Sequence, residues 1–307
     1  MDVAWSANDF PNQVLTRPEE LIPRLKAAGI TAIEAGYQFF VSHSEEEVEK
    51  NTQLFRQAGI QIWSVHAPFG RALGNLSDLD EPGRRSAVEY NKYVLERIAL
   101  AATSVYVIHP GSFAKEEEVP LMLRVLLDSL EEILPVAERS GVRLALENII
   151  PRSPGSECQE VRDVVEKIGS EWLGVCYDSG HAHVAGQAKE GMEILKDLII
   201  TFHLEDTDGV RDMHFQPGYG TVPWDDVGAI LRSMDFESPI VVEALPWQSD
   251  PVPWQGDKLG QMRREVTALL EGRMLKVDID GMPSNVQCMH CGHLRYGTLE
   301  DSWCACP

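Results

Sequence analysis

Eight short runs rich in Val, Ile and Ala alternate with longer segments of helical periodicity, and this alternation constrains the fold more than any other feature of the chain. The runs are "DVAWSAN", "TAIEAG", "IQIWSVHAP", "SVYVIHPGS", "VRLALENI", "LGVCYDSG", "IITFHLED" and "PIVVEAL". Between them lie segments such as "PEELIPRLKAAG", "SEEEVEKNTQLFRQAG" and "LRVLLDSLEEILPVAERSG", each closing on a Gly suited to a helix C-cap. Continuous apolar strands imply burial on both faces, which a parallel sheet wrapped in helices provides. Eight strand-helix units fit a closed (β/α)8 barrel, whereas an open doubly wound sheet normally has fewer strands, and no G-x-G-x-x-G follows the first run. The expected fold class is therefore α/β, a (β/α)8 barrel over residues 1–272 of a 307-residue chain whose 44% hydrophobic content supports a substantial core.

In such a barrel the C-terminal ends of the strands converge on one face, so polar residues ending different strands become neighbours. That register is filled repeatedly here, by His66, His109, Glu147, Asp178 with His181 just beyond, His203 and Glu243. Carboxylates gathered at one place repel each other and resist ionising unless positive charge holds them. Few arginines are placed to supply it, and a divalent metal is the natural counter-charge. Glu147, Asp178, His203 and Glu243 come from four successive strands, enough to surround one ion and leave positions for substrate or water. Mixed carboxylate and imidazole ligands suit Zn²⁺, Mn²⁺, Co²⁺ or Fe²⁺.

The ordered segments "VHAPF", "IHPGS", "LENI", "CYDSGHAH", "FHLEDTDGVRDMHFQPGYGTVPW" and "VVEAL" resemble the xylose isomerase-like TIM barrel superfamily, which holds sugar phosphate isomerases and epimerases and the endonuclease IV-type AP endonucleases. The similarity covers most of residues 1–272. For the isomerase and epimerase branch, the resemblance implies that Glu147, Asp178, His203 and Glu243 hold one divalent ion and that Glu147 and Glu243 exchange a proton with the substrate. For the endonuclease branch it adds His66, His109, His181, Asp212 and His214, filling all nine positions of a three-zinc pattern. The wording of the segment after His203 resembles predicted sugar isomerases, in which Arg211 matches a substrate-contacting arginine and His66 and His181 would bind substrate rather than further ions.

The favoured reading is a divalent-metal-dependent isomerase or epimerase of a sugar or sugar phosphate, in which one Glu removes a proton beside a metal-polarised carbonyl and the other returns one. The alternative is a multi-zinc phosphodiesterase, whose clustered ions would generate hydroxide and clamp the attacking and leaving oxygens. Arg71, Arg84 and Arg85 lie where a duplex-gripping loop could sit, but the acids of "SDLDEPGRR" weaken that patch and the net charge of −21 disfavours nucleic acid as a partner. The expected partner is a small-molecule sugar, and a homo-oligomer is compatible with the sequence. No run approaches a membrane span and "MDVAWSANDF" lacks the pattern of a secretory signal, so a cytoplasmic location is expected.

Other residues carry two readings each. Glu34 could touch substrate hydroxyls or be an inward-facing carboxylate satisfied by a neighbour. Trp5, Phe69, Trp224 and Trp247 could wall a sugar site or pack loops. Glu205 and Asp206 could orient His203, and His183 belongs to the loop or behind the ligands. Beyond a linker at 273–285, the segment 286–307 places Cys288, Cys291, Cys304 and Cys306 as C-x2-C, a 12-residue gap and C-x-C, the spacing of a structural Zn²⁺ site resembling a zinc ribbon. So short a segment has no core of its own, and metal binding would supply much of its folding free energy. If this ribbon were the functional part, the chain would be an interaction protein on a barrel scaffold.

Overall fold

The computed structural model describes residues 2–7, 17–70, 73–244 and 258–273, and the backbone of 286–287 and 294–295. Eight strands close into a barrel in sequence order: β1 Val3–Ser6, β2 Ala32–Gly36, β3 Gln61–His66, β4 Val105–Ile108, β5 Arg143–Glu147, β6 Leu173–Asp178, β7 Ile199–Leu204 and β8 Ile240–Val242. Every neighbouring pair is parallel, and β1 pairs with β8 through Val3 and Ile240. The connecting helices are α1 Pro18–Ala28, α2 Gln38–Val41, α3 Glu45–Gln57, α4 Glu81–Ile98, α5 Val119–Ser140, α6 Cys158–Ile168, α7 Ser179–Val184, α8 Ala188–Leu195, α9 Trp224–Ser233 and α10 Lys258–Leu270.

Helix boundaries follow local chemistry. Ser44 and Glu47 form a reciprocal capping box at the start of α3, satisfying donors that the first turn leaves unpaired. The Asp80 side chain accepts from the Gly83 N–H to start α4. At the end of α5, Gly141 turns the chain at φ 67, a conformation glycine adopts without a Cβ penalty. The antiparallel pair β9 Val286–Gln287 and β10 Leu294–Arg295 follows the barrel. Cys288, Cys291, Cys304 and Cys306 lie outside the described residues, as do Arg71 and Trp247.

Two apolar regions result from the alternation of side chains along each strand. Outward residues such as Ile33, Tyr106, Leu144, Tyr177 and Phe202 pack with the helices in one continuous core. Trp5 belongs there too, fully buried between barrel and helices, so it lines no sugar site. Inside the barrel, Trp63 lies against Ala4, Ala32 and Val241 and against Val105, Val107, Ala145 and Cys176. Its indole N–H donates to Thr201 Oγ1 at 3.2 Å on the far side. A register shift between Ile33 and Glu34 re-phases β2 against β3, and Ser64 reaches Glu34 directly above the indole. The interior thus has an apolar floor built from one large and several small side chains, and polar residues begin above it.

Because Ala32 is fully buried beside Trp63, an Ala32→Leu substitution is expected to overpack the floor and cost about 1–3 kcal/mol. Urea denaturation should show a lower midpoint at unchanged slope. An unshifted midpoint would mean that the floor is not close-packed.

Candidate metal centre

Above the floor the inward register of β5 to β8 ends in ionisable groups. Glu147 is the last residue of β5, Asp178 the last of β6, His203 the penultimate residue of β7, and Glu243 follows β8. All four are buried, and a ligand-capable atom from each lies within 4.8 Å of the others. His203 is at the centre of this group. Its Nδ1 lies 3.0 Å from Glu147 Oε1 and 3.0 Å from Glu243 Oε2, and its Nε2 lies 3.0 Å from Glu34 Oε2. Glu34 also accepts from the hydroxyls of Ser6 and Ser64 at 2.9 and 2.8 Å. It is fully buried, so of its two sequence readings the structure carries the carboxylate satisfied by neighbours. His203 is oriented by these carboxylates and not by Glu205 or Asp206.

Around the central group stand the remaining candidates. His66 and His109 approach Glu147 Oε2 at 3.8 and 3.2 Å through Nε2, and the three residues form a second ligand-capable cluster. His181 Nε2 lies 3.4 Å from Asp212 Oδ2, and His214 Nε2 lies 3.3 Å from Asp212 Oδ1. Three of these imidazoles share one arrangement. Nδ1 of His66 meets the carbonyl of Ala67 at 2.7 Å, that of His181 the carbonyl of Asn148 at 3.0 Å, and that of His214 the carbonyl of Glu243 at 3.2 Å. A carbonyl only accepts, so Nδ1 carries the proton it donates and Nε2 is turned toward the carboxylates, an arrangement common among metal-ligating histidines. His214 has φ 46, a left-handed conformation that non-glycine residues adopt where surrounding contacts dictate it. Arg211 forks onto Asp208, with Nη2 at 2.7 Å from Oδ2, and His183 bonds Thr221 Oγ1 at 2.9 Å in the loop.

The electrostatics show how so many ionisable groups can be buried together. Burial opposes the charge on Glu147, but His203 and His109 outweigh it and hold the carboxyl well below its ordinary range. Glu243 is held at about 2, burial again opposing and His203 prevailing. Asp178 moves the other way, pushed up to about 7 by burial together with Glu147 and Glu243, against His181 and His203. For His203, burial is outweighed by Cys176, Glu243, Glu34 and Glu147, which raise it well above an ordinary imidazole. His66 is lowered by burial and by His109. Several carboxylate oxygens still find no hydrogen bond: Glu147 Oε2, Asp178 Oδ2, both Glu205 oxygens and Asp212 Oδ1. His109 Nε2, at 3.2 Å from Glu147 Oε2, does not meet it in hydrogen-bonding geometry. Buried carboxylate oxygens without a partner cost free energy unless a cation binds them, and a divalent ion fits these donors.

Three residues carry more than the sequence reading assigned them. Asn148 ties β5 to β6, its amide donating to the Asp178 carbonyl and accepting from the Asp178 N–H, both at 2.9 Å. Glu205 is fully buried near Asp178 and His181, and its carboxylate lies so close to Gly180 that a Cβ there would meet Oε1 at 2.1 Å. The period of two from His203 along β7 was the available signal for it. Asp206 holds the loop after β7. Its carboxylate accepts from the N–H groups of Thr207, Val222 and Gly218 at 2.9, 3.0 and 2.9 Å and from the Trp224 indole at 2.7 Å. Trp224 therefore packs the loop. Phe69 is 61% exposed, with its ring stacked 5.7 Å from His109 and edge-on 5.6 Å from His66, at the mouth of the site. Arg84 and Arg85 are paired on α4 and α5: Arg84 with Glu81 and Glu132, both at 2.7 Å, and Arg85 with Glu81 at 2.6 Å.

The family model described as xylose isomerase-like TIM barrel matches residues 22–264. The uncharacterized protein MJ1311 of Methanocaldococcus jannaschii is 30% identical over 186 residues, 58% of this chain and 63% of that protein, so the match spans less than two thirds of the relative. A probable endonuclease 4 of Lachnoclostridium phytofermentans is 26% identical over 226 residues, 68% of this chain and 73% of the relative. Among solved structures, a D-tagatose 3-epimerase-like protein superposes with a TM-score of 0.73 at 23% identity, over 89% of this chain and 98% of that one. At that identity the likeness is one of fold.

Two measurements follow from this geometry. His203 and Asp178 both bind protons more tightly than their ordinary values, so an ion must displace protons to use them. Adding Zn²⁺ or Mn²⁺ to metal-free protein in weak buffer near pH 7 should release protons, and apparent affinity should fall as the pH is lowered; binding without proton release would exclude these ligands. Asp206→Ala would strand four donors, each costing about 1–3 kcal/mol, so a loss of about 3 kcal/mol or more is expected together with red-shifted tryptophan emission.

Proposed function

The chain belongs to the xylose isomerase-like TIM barrel family, and from that premise we propose that its barrel mouth binds a divalent metal ion and isomerises or epimerises a small sugar or sugar phosphate. The observation that supports this most directly is the pair of buried glutamates, Glu147 and Glu243, which both approach His203 Nδ1, at 3.0 Å each. Glu147, Asp178, His203 and Glu243 would hold the ion. Bound there, it would polarise a substrate carbonyl and stabilise the negative charge that develops on its oxygen. Proton transfer falls to this chain's own residues. One glutamate takes the proton from the carbon beside the carbonyl; the other, an anion in the resting site, first takes a proton from solvent or a substrate hydroxyl and then delivers it to the opposite face or the adjacent carbon, each fixed in place by the packed strand ends. His66, His181 and Arg211 would bind substrate hydroxyls or phosphate, and Phe69 would cover an apolar sugar face.

A second reading has its own support. The His66–His109–Glu147 cluster and the His181–Asp212–His214 contacts could hold further ions, as in a multi-zinc phosphodiesterase, and a named relative is a probable endonuclease 4. Against a duplex substrate, Arg84 and Arg85 are engaged in ion pairs. The tail segment 286–307 is proposed to hold a structural Zn²⁺ through Cys288, Cys291, Cys304 and Cys306; the β9–β10 pair brackets the first two cysteines. Among the described residues no helix is long and apolar enough to cross a membrane, and a cytoplasmic site of action suits the proposed substrate.

The test is solvent deuterium incorporation. Metal-loaded protein incubated in D₂O with a panel of ketoses and sugar phosphates should label the carbon beside the carbonyl, seen by NMR, and Glu147→Gln and Glu243→Gln should each lower the rate at least ~100-fold. Labelling unaffected by both substitutions would remove the glutamates from the chemistry. Cleavage of abasic-site DNA in place of any labelling would favour the phosphodiesterase. Metal analysis of the full chain against one ending at residue 275 should show a difference of about one Zn²⁺ per chain.

A further inference from the structure

The bond from His203 to Glu34 crosses the barrel. His203 is on β7 and Glu34 on β2, with β8 and β1 between them in the closed sheet, so the two meet in the lumen and not as neighbours in a ladder. Both are fully buried. An ionised carboxylate is an acceptor only, and Glu34 has three donors aimed at it: Ser6 Oγ onto Oε1 at 2.9 Å, Ser64 Oγ onto Oε2 at 2.8 Å and His203 Nε2 onto Oε2 at 3.0 Å. The serines come from the flanking strands β1 and β3, which clamp the carboxylate from both sides. Trp63 closes the barrel beneath. The site is thus built to fix one carboxylate in a single orientation, and its remaining contact is the imidazole.

We propose that Glu34, clamped by Ser6 and Ser64, is the positioning residue for the metal centre: it holds the His203 ring with the proton on Nε2 and Nδ1 facing the ion. The inference rests on the metal-binding reading above, and it concerns how one ligand is prepared. With Nε2–H committed to Glu34, the nitrogen that remains for an ion is Nδ1, the atom that faces Glu147 Oε1 and Glu243 Oε2 at 3.0 Å. Glu34 acts in two ways. It selects the tautomer and ring orientation, and its negative charge makes the opposite nitrogen a better donor. A carboxylate that served only to fill the barrel would be matched by any isosteric group, whereas one that tunes a ligand is not matched by a neutral amide.

The test uses full-length protein and Mn²⁺ alone, a hard ion that favours oxygen and imidazole and leaves a thiolate tail aside. Glu147→Ala in an otherwise unchanged chain first establishes that the measured ion is in the barrel. Glu34→Gln keeps the shape and an acceptor for Nε2–H but removes the charge, and is expected to weaken Mn²⁺ binding about 10–100-fold and to alter the visible spectrum of the Co²⁺-loaded protein. Ser6→Ala combined with Ser64→Ala, which leaves the charge but releases the clamp, should weaken binding less and broaden the Co²⁺ bands. Should Glu34→Gln fold poorly by circular dichroism, the serine pair carries the test. Wild-type affinity and an unchanged Co²⁺ spectrum in the folded variants would overturn the role of Glu34 while the metal centre stands. Failure of wild type to bind Mn²⁺, or binding indifferent to Glu147→Ala, would overturn the metal-binding reading itself.

Discussion

An imidazole held between buried carboxylates is the interaction on which the upper half of the barrel depends. His203 touches Glu34 on one side and Glu147 and Glu243 on the other, and none of these groups is more than marginally exposed. In a cavity of low dielectric such charges interact strongly, and their desolvation is equally costly. The balance is local: for Glu147 and Glu243 the facing imidazoles outweigh burial and stabilise the anion, while for Asp178 burial, together with Glu147 and Glu243, outweighs His181 and His203. Opposite shifts among neighbouring carboxyls mean that the fold prepares adjacent positions to hold protons differently, a pattern that clusters at functional sites.

That preparation requires a scaffold that cannot relax. Closure of the sheet gives each strand two neighbours and leaves no edge, so the strand ends hold their relative positions. Asn148 adds a direct brace between the ends of β5 and β6, which carry two of the four central candidates. The loop after β7 is held chiefly by its own contacts: the carboxylate of Asp206 collects four donors, the backbones of Asp206 and Phe215 pair, and Gln216 and Tyr219 reach Glu265 on α10. Strand ends and a self-braced loop divide the labour: the first fix the inner candidates, the second brings Asp212 and His214 beside His181.

Much of this was legible in the sequence because strands of a closed barrel all deliver their ends to one face. Glu147, Asp178, His203 and Glu243 could be grouped before any coordinates, since the apolar runs gave the register and the polar residue after each run gave the site. What could not be read was contact across the lumen. Whether Glu34 faced substrate or a neighbour depended on the shift between β2 and β3, which periodicity does not reveal. The strand of origin located Glu205 and Asp206 near His203 but not their orientation. One enters the cluster and the other turns away into the loop, as alternation along a strand requires of adjacent residues. Trp5 was misplaced for the same reason, its strand position being compatible with either face until the helices are seen to cover it.

The floor made by Trp63 has a further meaning for traffic. With the indole bonded across to Thr201 and alanines beside it, the lumen below the strand-end cluster is occupied by side chains. A ligand that reaches the cluster from the strand-end side meets the exposed ring of Phe69 beside His66 and His109. An ion seated among the strand ends would have this packed floor beneath it and would exchange with solvent from the strand-end side.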